Sequence, residues 1–253
     1  MKIFKYVFFI LLPLQLLAQD KDVGIFEHIG QTLPSNIKFT DENYNEVNLK
    51  DLIKKPTIIS LVYYRCPGLC SPLLNGIAEV IDKCQLEPGK DYQVITVSFN
   101  PEDTPDLARE KKDNELKAMH RHVKPEDWKW LVGDTTNINK LTRALGFMYK
   151  KEGKEYMHGA AIYVVSGQAK ISRYLYGTYF LPVDLKMALT DAKNNTTSAS
   201  IPAILKYCYS YDPAGRKYIL NINRITGSLV VLFVIFFFLF LVIRKKPNKI
   251  SNV

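Results

Sequence analysis

Thr57-Ile58-Ile59-Ser60-Leu61-Val62-Tyr63-Tyr64 leads through Arg65 into Cys66-Pro67-Gly68-Leu69-Cys70, and then into Ser71 to Cys84. The first eight residues are a nearly unbroken β-branched and aromatic run. Such a run suits a central strand covered on both faces. Pro67 and Gly68 break it with a sharp turn. From Ser71 the apolar residues fall at helical spacing, with Leu73, Leu74, Ile77, Val80 and Ile81 on one face. A buried strand, a two-cysteine loop and an amphipathic helix thus follow in order. That order predicts an α/β fold with the cysteines at the strand-to-helix junction.

The same alternation extends outward on both sides. Ile37 to Leu49 contains two short extended pieces around Asp41-Glu42-Asn43. Gln93 to Phe99 reads as a strand. Thr104 to Arg121 reads as a charged helix, with Thr104 as N-cap and Pro105 at its first position. Trp128 to Val132 is a further short strand, and Ile138 to Leu145 a helix stopped by Gly146. Ala160 to Val165 and Lys170 to Tyr176 form a hairpin about Ser166-Gly167-Gln168, and Leu185 to Lys193 is a closing helix. These elements define one α/β domain over residues 31–193. Residues 194–224 read as a polar linker and juxtamembrane segment. The acceptor pattern at Asn194-Asn195-Thr196-Thr197 is taken as linker composition.

The formal charge of +9 is concentrated at the ends. Lys2, Lys5, Arg244, Lys245, Lys246 and Lys249 carry six of the positive charges, which leaves about +3 between them. That bias is too weak to indicate nucleic acid, and no nucleic-acid partner is expected. The basic ends are topology signals instead. Lys2 and Lys5 precede the apolar run Tyr6 to Leu17, and Ala18 offers a small residue for cleavage, so residues 1–18 read as a secretory signal peptide. An uncleaved anchor is the competing reading. Ile225 to Ile243 is almost wholly apolar; its nineteen residues would span about 28 Å as a helix, enough for a bilayer core. Arg244-Lys245-Lys246 follows, which places the tail 244–253 in the cytoplasm and everything before the span outside. The expected location is the inner (cytoplasmic) membrane, single-pass, with the domain on the periplasmic side.

Four cysteines lie in that outside portion: Cys66, Cys70, Cys84 and Cys208. An oxidising compartment permits disulfides, and four cysteines allow three complete pairings. Cys70 falls in the first helical turn, where the dipole stabilises a thiolate. Two thiolates at this spacing suit Cu(I), and a reversible disulfide nearly as well. A structural disulfide is the plainer alternative. A zinc ribbon is disfavoured, because no second close pair supplies four ligands. An imidazole would complete a three-ligand set, and four are present. His28 lies ahead of the domain. His120 and His122 end a charged helix. His158 precedes Gly159-Ala160-Ala161-Ile162-Tyr163. Pattern alone does not choose among them. Cys84, at a helix end, reads as a buried, inert thiol. Cys208 could pair with Cys84, exchange with the active pair, or act as an extra ligand.

An ordered set of segments resembles the Sco/SenC family of copper proteins, which serve assembly of the cytochrome oxidase copper centre. It comprises Cys66-Pro67-Gly68-Leu69-Cys70, Val97-Ser98-Phe99-Asn100-Pro101-Glu102-Asp103-Thr104-Pro105, Trp128-Lys129-Trp130-Leu131-Val132-Gly133, Ala144-Leu145-Gly146-Phe147, Tyr156-Met157-His158-Gly159-Ala160-Ala161-Ile162-Tyr163-Val164-Val165 and Arg173-Tyr174-Leu175-Tyr176-Gly177. The resemblance implies a thioredoxin-like fold with Cys66, Cys70 and His158 as ligands of copper, Cu(I) or Cu(II). It implies a metallochaperone whose partner is the copper-site subunit of a terminal oxidase. The alternative is a thiol–disulfide oxidoreductase acting through Cys66 and Cys70, and a thiol peroxidase is a third possibility on the same fold. Two departures from the family pattern stand out. Met157 occupies a position that often holds an acid, and the anchor is C-terminal rather than N-terminal.

Overall fold

The computed structural model describes residues 23–153, 155–198, 209–212, 217–220 and 222–244. The expected signal peptide, residues 1–18, lies outside them, as does Cys208.

The strands are β1 (Gly24–Ile25), β2 (Lys38–Asp41), β3 (Glu46–Asn48), β4 (Thr57–Val62), β5 (Gln93–Ser98), β6 (Trp128–Val132), β7 (Phe147–Met148), β8 (Lys150–Glu152), β9 (Glu155–Met157), β10 (Ala161–Val165), β11 (Ile171–Tyr176), β12 (Tyr209–Asp212) and β13 (Lys217–Leu220). The helices are α1 (Leu49–Leu52), α2 (Cys70–Lys83), α3 (Pro105–Ala118), α4 (Thr135–Ala144), α5 (Pro182–Lys193) and α6 (Ile222–Arg244). Seven strands form one sheet in the order β11-β10-β4-β5-β6-β2-β3. β4, β5 and β6 are mutually parallel, while β10 and β2 run antiparallel to the strands they flank.

Every residue of β4 is buried, as its continuous apolar run predicts for a central strand. α5 lies against β10 and β11, α3 against β6 and β2, and α2 touches both helices. Gly76 makes one of these approaches possible. A Cβ there would sit 1.9 Å from the Thr178 carbonyl oxygen, so only glycine lets the loop after β11 lie on α2. Thr104 caps α3 by accepting the Leu107 N–H. α4 begins three residues earlier than its apolar pattern suggests, because Asp134 accepts the Asn137 N–H and supplies the cap. A buried ion pair fastens α3 to the sheet: Lys112 meets Glu42, whose other oxygen accepts the Trp130 N–H at 3.1 Å.

The structure extends the sequence reading at both ends. β1 pairs with β7, so the folded unit begins before Gln31. Gly146, at φ +62°, closes α4 and accepts the Phe26 N–H at 2.8 Å. His28 belongs to this stitching: its backbone N–H donates to the Tyr174 hydroxyl, and its Nδ1 lies 3.0 Å from the Ala144 carbonyl. Residues 194–224 are not linker throughout, since β12 and β13 form an antiparallel hairpin and α6 starts at Ile222.

α6 carries exposed apolar side chains from Leu229 to Leu241. Among the described residues, no helix is long and apolar enough to cross a membrane. The described side chains run unbroken only over 225–241, about 26 Å of helix against a hydrocarbon core of about 30 Å. Val242 and Ile243, which the expected span also needs, lie outside them, and so the structure does not show the transmembrane segment expected at 225–243.

Candidate metal centre

β10 runs antiparallel to β4, with Ile162 opposite Ser60. The start of β10 therefore lies beside the end of β4. His158, just ahead of β10, and Cys66, just beyond β4, emerge at one edge of the sheet. β5 is parallel to β4, so the loop after Ser98 ends there too. Three segments far apart in sequence thus converge.

Cys66 sits in the turn before α2, its N–H donating to the Tyr63 carbonyl at 3.2 Å. Leu69, at the N-cap of α2, makes no side-chain cap bond. The Cys66 sulfur takes that place, accepting the Cys70 N–H at 3.4 Å. A helix start leaves such N–H groups without internal partners and favours negative charge. Cys66 is half-buried and Cys70 is buried. The pair shares one negative charge, which settles on Cys66. Its thiol is pulled down to about 3, chiefly by a hydrogen bond from Cys70, against burial and with help from the Cys70 and Gly68 N–H groups. Burial, and then the neighbouring Cys66 charge, push the Cys70 thiol well up.

His158 is 5% exposed. Its Nδ1 lies 2.9 Å from the Gly159 carbonyl oxygen. A carbonyl only accepts, which assigns the proton to Nδ1 and leaves the lone pair on Nε2. Nε2 faces Cys70 Sγ at 3.9 Å. The ring also meets Phe99, Phe147 and Tyr63, at centroid distances of 5.2, 5.9 and 6.1 Å. A backbone carbonyl and three aromatic rings thus orient the imidazole, with Met157 beside it.

The donor atoms of Cys66, Cys70 and His158 lie within 4.8 Å of one another. A metal bound at about 2.0–2.3 Å from each donor requires a set about this compact. Two sulfurs and one imidazole suit a soft or borderline ion such as copper, not calcium or magnesium. The sequence-predicted residues are therefore brought together. The other imidazoles are not. His28 is tied to the N-terminal stitching described above. His120 donates its backbone N–H to Asp82, and it and His122 line a surface depression with Leu116, Arg121 and Pro125. Cys84 is a buried free thiol, as expected. Its pairing with Cys208 falls outside the described residues.

Sequence pattern assigns no role to Tyr63, Asn100, Asp103 or Tyr156. Asn100 and Asp103 are buried polar residues in the loop after β5. Their one sequence signal is polarity immediately after a buried strand.

Residues 30–185 match the model of the family described as SCO1/SenC. The chain belongs to that family. Protein SCO1 homolog 1, mitochondrial, of Arabidopsis thaliana is 27% identical over 138 residues, 52% of this chain and 38% of that protein. The chain thus spans well under half of that relative's length. A crystal structure of an Aquifex aeolicus VF5 protein matches with a TM-score of 0.60 and 28% identity, covering 66% of this chain and 95% of the other. Arabidopsis thaliana ScoI, crystallised with copper bound, matches with a TM-score of 0.52 and 20% identity over 66% of this chain and 99% of that one. These likenesses bear out the thioredoxin-like α/β fold expected of a SCO1/SenC member. The cysteine pair and histidine lie inside the matched region.

Proposed function

We infer that this SCO1/SenC protein binds copper through Cys66, Cys70 and His158 and delivers it to the copper-site subunit of a cytochrome c oxidase during assembly. The observation that carries this reading is the compact Cys-Cys-His donor set, with His158 Nε2 turned toward the sulfurs. Copper here is cargo. Three donors leave room for a fourth, so an acceptor thiolate can enter and displace these ligands in turn. Titrating the purified full-length protein with Cu(I) under anaerobic conditions, beside a His158→Ala variant, tests it. Equal affinity in the two would sink the three-ligand reading.

The contrast between the two sulfurs favours a second reading, thiol–disulfide exchange. The Cys66 thiolate would attack a disulfide in the acceptor's copper site. Cys70 would then resolve the mixed disulfide, releasing the acceptor dithiol and leaving Cys66–Cys70 oxidised. That chemistry needs both cysteines and not the imidazole. Loss of function in His158→Ala with the pair's redox activity intact separates the two roles.

We place the domain on the periplasmic side of the inner membrane, held by a single C-terminal span. The apolar sequence 225–243, its Arg244-Lys245-Lys246 flank and the exposed apolar face of α6 support this. Tethering would raise the donor's effective concentration near a membrane-bound acceptor. Protease digestion of intact spheroplasts should degrade the domain; a protected domain would reverse the topology.

A further inference from the structure

Asp103 is a buried carboxylate, 6% exposed, and it enters no ion pair among the described residues. Its hydrogen bonds are all to neutral groups. Oδ2 accepts the Tyr64 backbone N–H at 2.7 Å and the Ser98 hydroxyl at 2.6 Å. Oδ1 accepts the Asn100 side-chain amide at 3.2 Å. The Asn100 side-chain oxygen in turn accepts the Tyr156 hydroxyl at 3.0 Å. Part of this is local turn-making before α3: the Asp103 N–H donates to the Asn100 carbonyl, and the Glu102 N–H to the Asn100 side chain. A local turn needs neither Tyr64 nor Tyr156. Tyr64 lies two residues before Cys66, and Tyr156 lies two residues before His158. One end of the network therefore holds the cysteine loop and the other holds the histidine segment.

We propose that Asn100 and Asp103 are positioning residues that set the spacing between the Cys66–Cys70 loop and His158, acting through the Tyr64 N–H and the Tyr156 hydroxyl. The proposal rests on the reading of the three donors as a metal-binding set. The sheet brings β4 and β10 side by side but does not fix the two loops beyond their ends. The ties from Asp103 to Tyr64 and from Asn100 to Tyr156 are hydrogen bonds with defined direction. Partners that orient a metal's ligands typically contribute about 10- to 100-fold in metal affinity. The buried carboxylate makes that orientation stiff, since charge-assisted bonds are the stronger ones.

The test uses the full-length protein with Tyr156→Phe, Asn100→Leu and the double variant. Tyr156→Phe removes only the hydroxyl and leaves the ring among Tyr63, Phe99 and Tyr149, so it serves if Asn100→Leu fails to fold. Copper affinity by chelator competition is measured together with the nitrogen hyperfine coupling of the Cu(II) form. The expected result is a loss of about 10- to 100-fold in each single variant. The hyperfine signal of His158 should change, and the double variant should be no weaker than the weaker single. Affinity and hyperfine coupling at wild-type values, or losses that add, would overturn the relay while leaving the metal reading intact. A wild type that takes up no copper would overturn the metal reading and the relay with it.

Discussion

His158 presents Nε2 to Cys70 Sγ at 3.9 Å while its Nδ1 faces the carbonyl oxygen of the next residue, Gly159, at 2.9 Å. The ring is thereby fixed in the tautomer that leaves a lone pair for a metal. No acidic side chain is needed to do this, which explains how Met157 is tolerated beside it.

The Cys66 thiol is held down to about 3, first by the hydrogen bond from Cys70. Cys66 should therefore alkylate at a rate that changes little between about pH 5 and about pH 8, where an ordinary thiol speeds up steeply as it ionises near 8.5. Cys70, buried and pushed the other way, should stay unmodified. Mass spectrometry of the reduced, metal-free protein reads both. The sign for stability follows from the lowered value. The thiolate's contribution is fully present above the ordinary thiol range and is lost as pH falls toward 3. A Cys66 rate that climbs tenfold per pH unit would contradict this.

Removing one partner of the buried Glu42–Lys112 pair leaves the other charge uncompensated. Glu42→Ala should cost about 3–5 kcal/mol in denaturant unfolding, whereas replacing both residues by apolar ones of similar size should cost far less. Copper affinity of the folded protein should not change, because Glu42, just after β2, and Lys112, on α3, make no hydrogen bond to Cys66, Cys70 or His158. A double-variant loss equal to the sum of the two single losses would show that the pair is not energetically coupled.

Gly146 sits at φ +62°, and a Cβ there would lie 1.7 Å from the Phe26 carbonyl oxygen. Gly146→Ala should destabilise by more than the about 1–2 kcal/mol that left-handed backbone costs an ordinary residue, because β1 must also shift. Hydrogen exchange should locate the loss at Gly24–Ile25 and Phe147–Met148. Unchanged protection there would contradict the stitching role assigned to this turn.

The central layer was legible because its signals are local. Thr57 to Val62 reads as a buried strand from its β-branched run, and α2 from the spacing of Leu73, Ile77 and Ile81. The cysteine pair was legible from its place between them. His158 was not legible from pattern, since a single histidine before a strand carries no periodicity. It reaches the sulfurs only through the pairing of β10 with β4, which brings His158 to Cys70 across 88 residues of sequence. β8 escaped notice because Lys150–Glu152 is wholly exposed and has no apolar alternation. Asn100 and Asp103 were hidden for a related reason: their distant partners, the Tyr156 hydroxyl and the Tyr64 N–H, come from other segments, and no spacing rule links them.

Anaerobic Cu(I) titration of the full-length protein, with wild type, Cys66→Ser, Cys70→Ser and His158→Ala side by side, tests the three-donor site most directly. The structure predicts one tightly held ion per wild-type chain, loss of tight binding with either cysteine variant, and an intermediate but clear loss with His158→Ala. Wild-type affinity in His158→Ala would contradict the three-donor account and leave disulfide chemistry as the function of the cysteine pair.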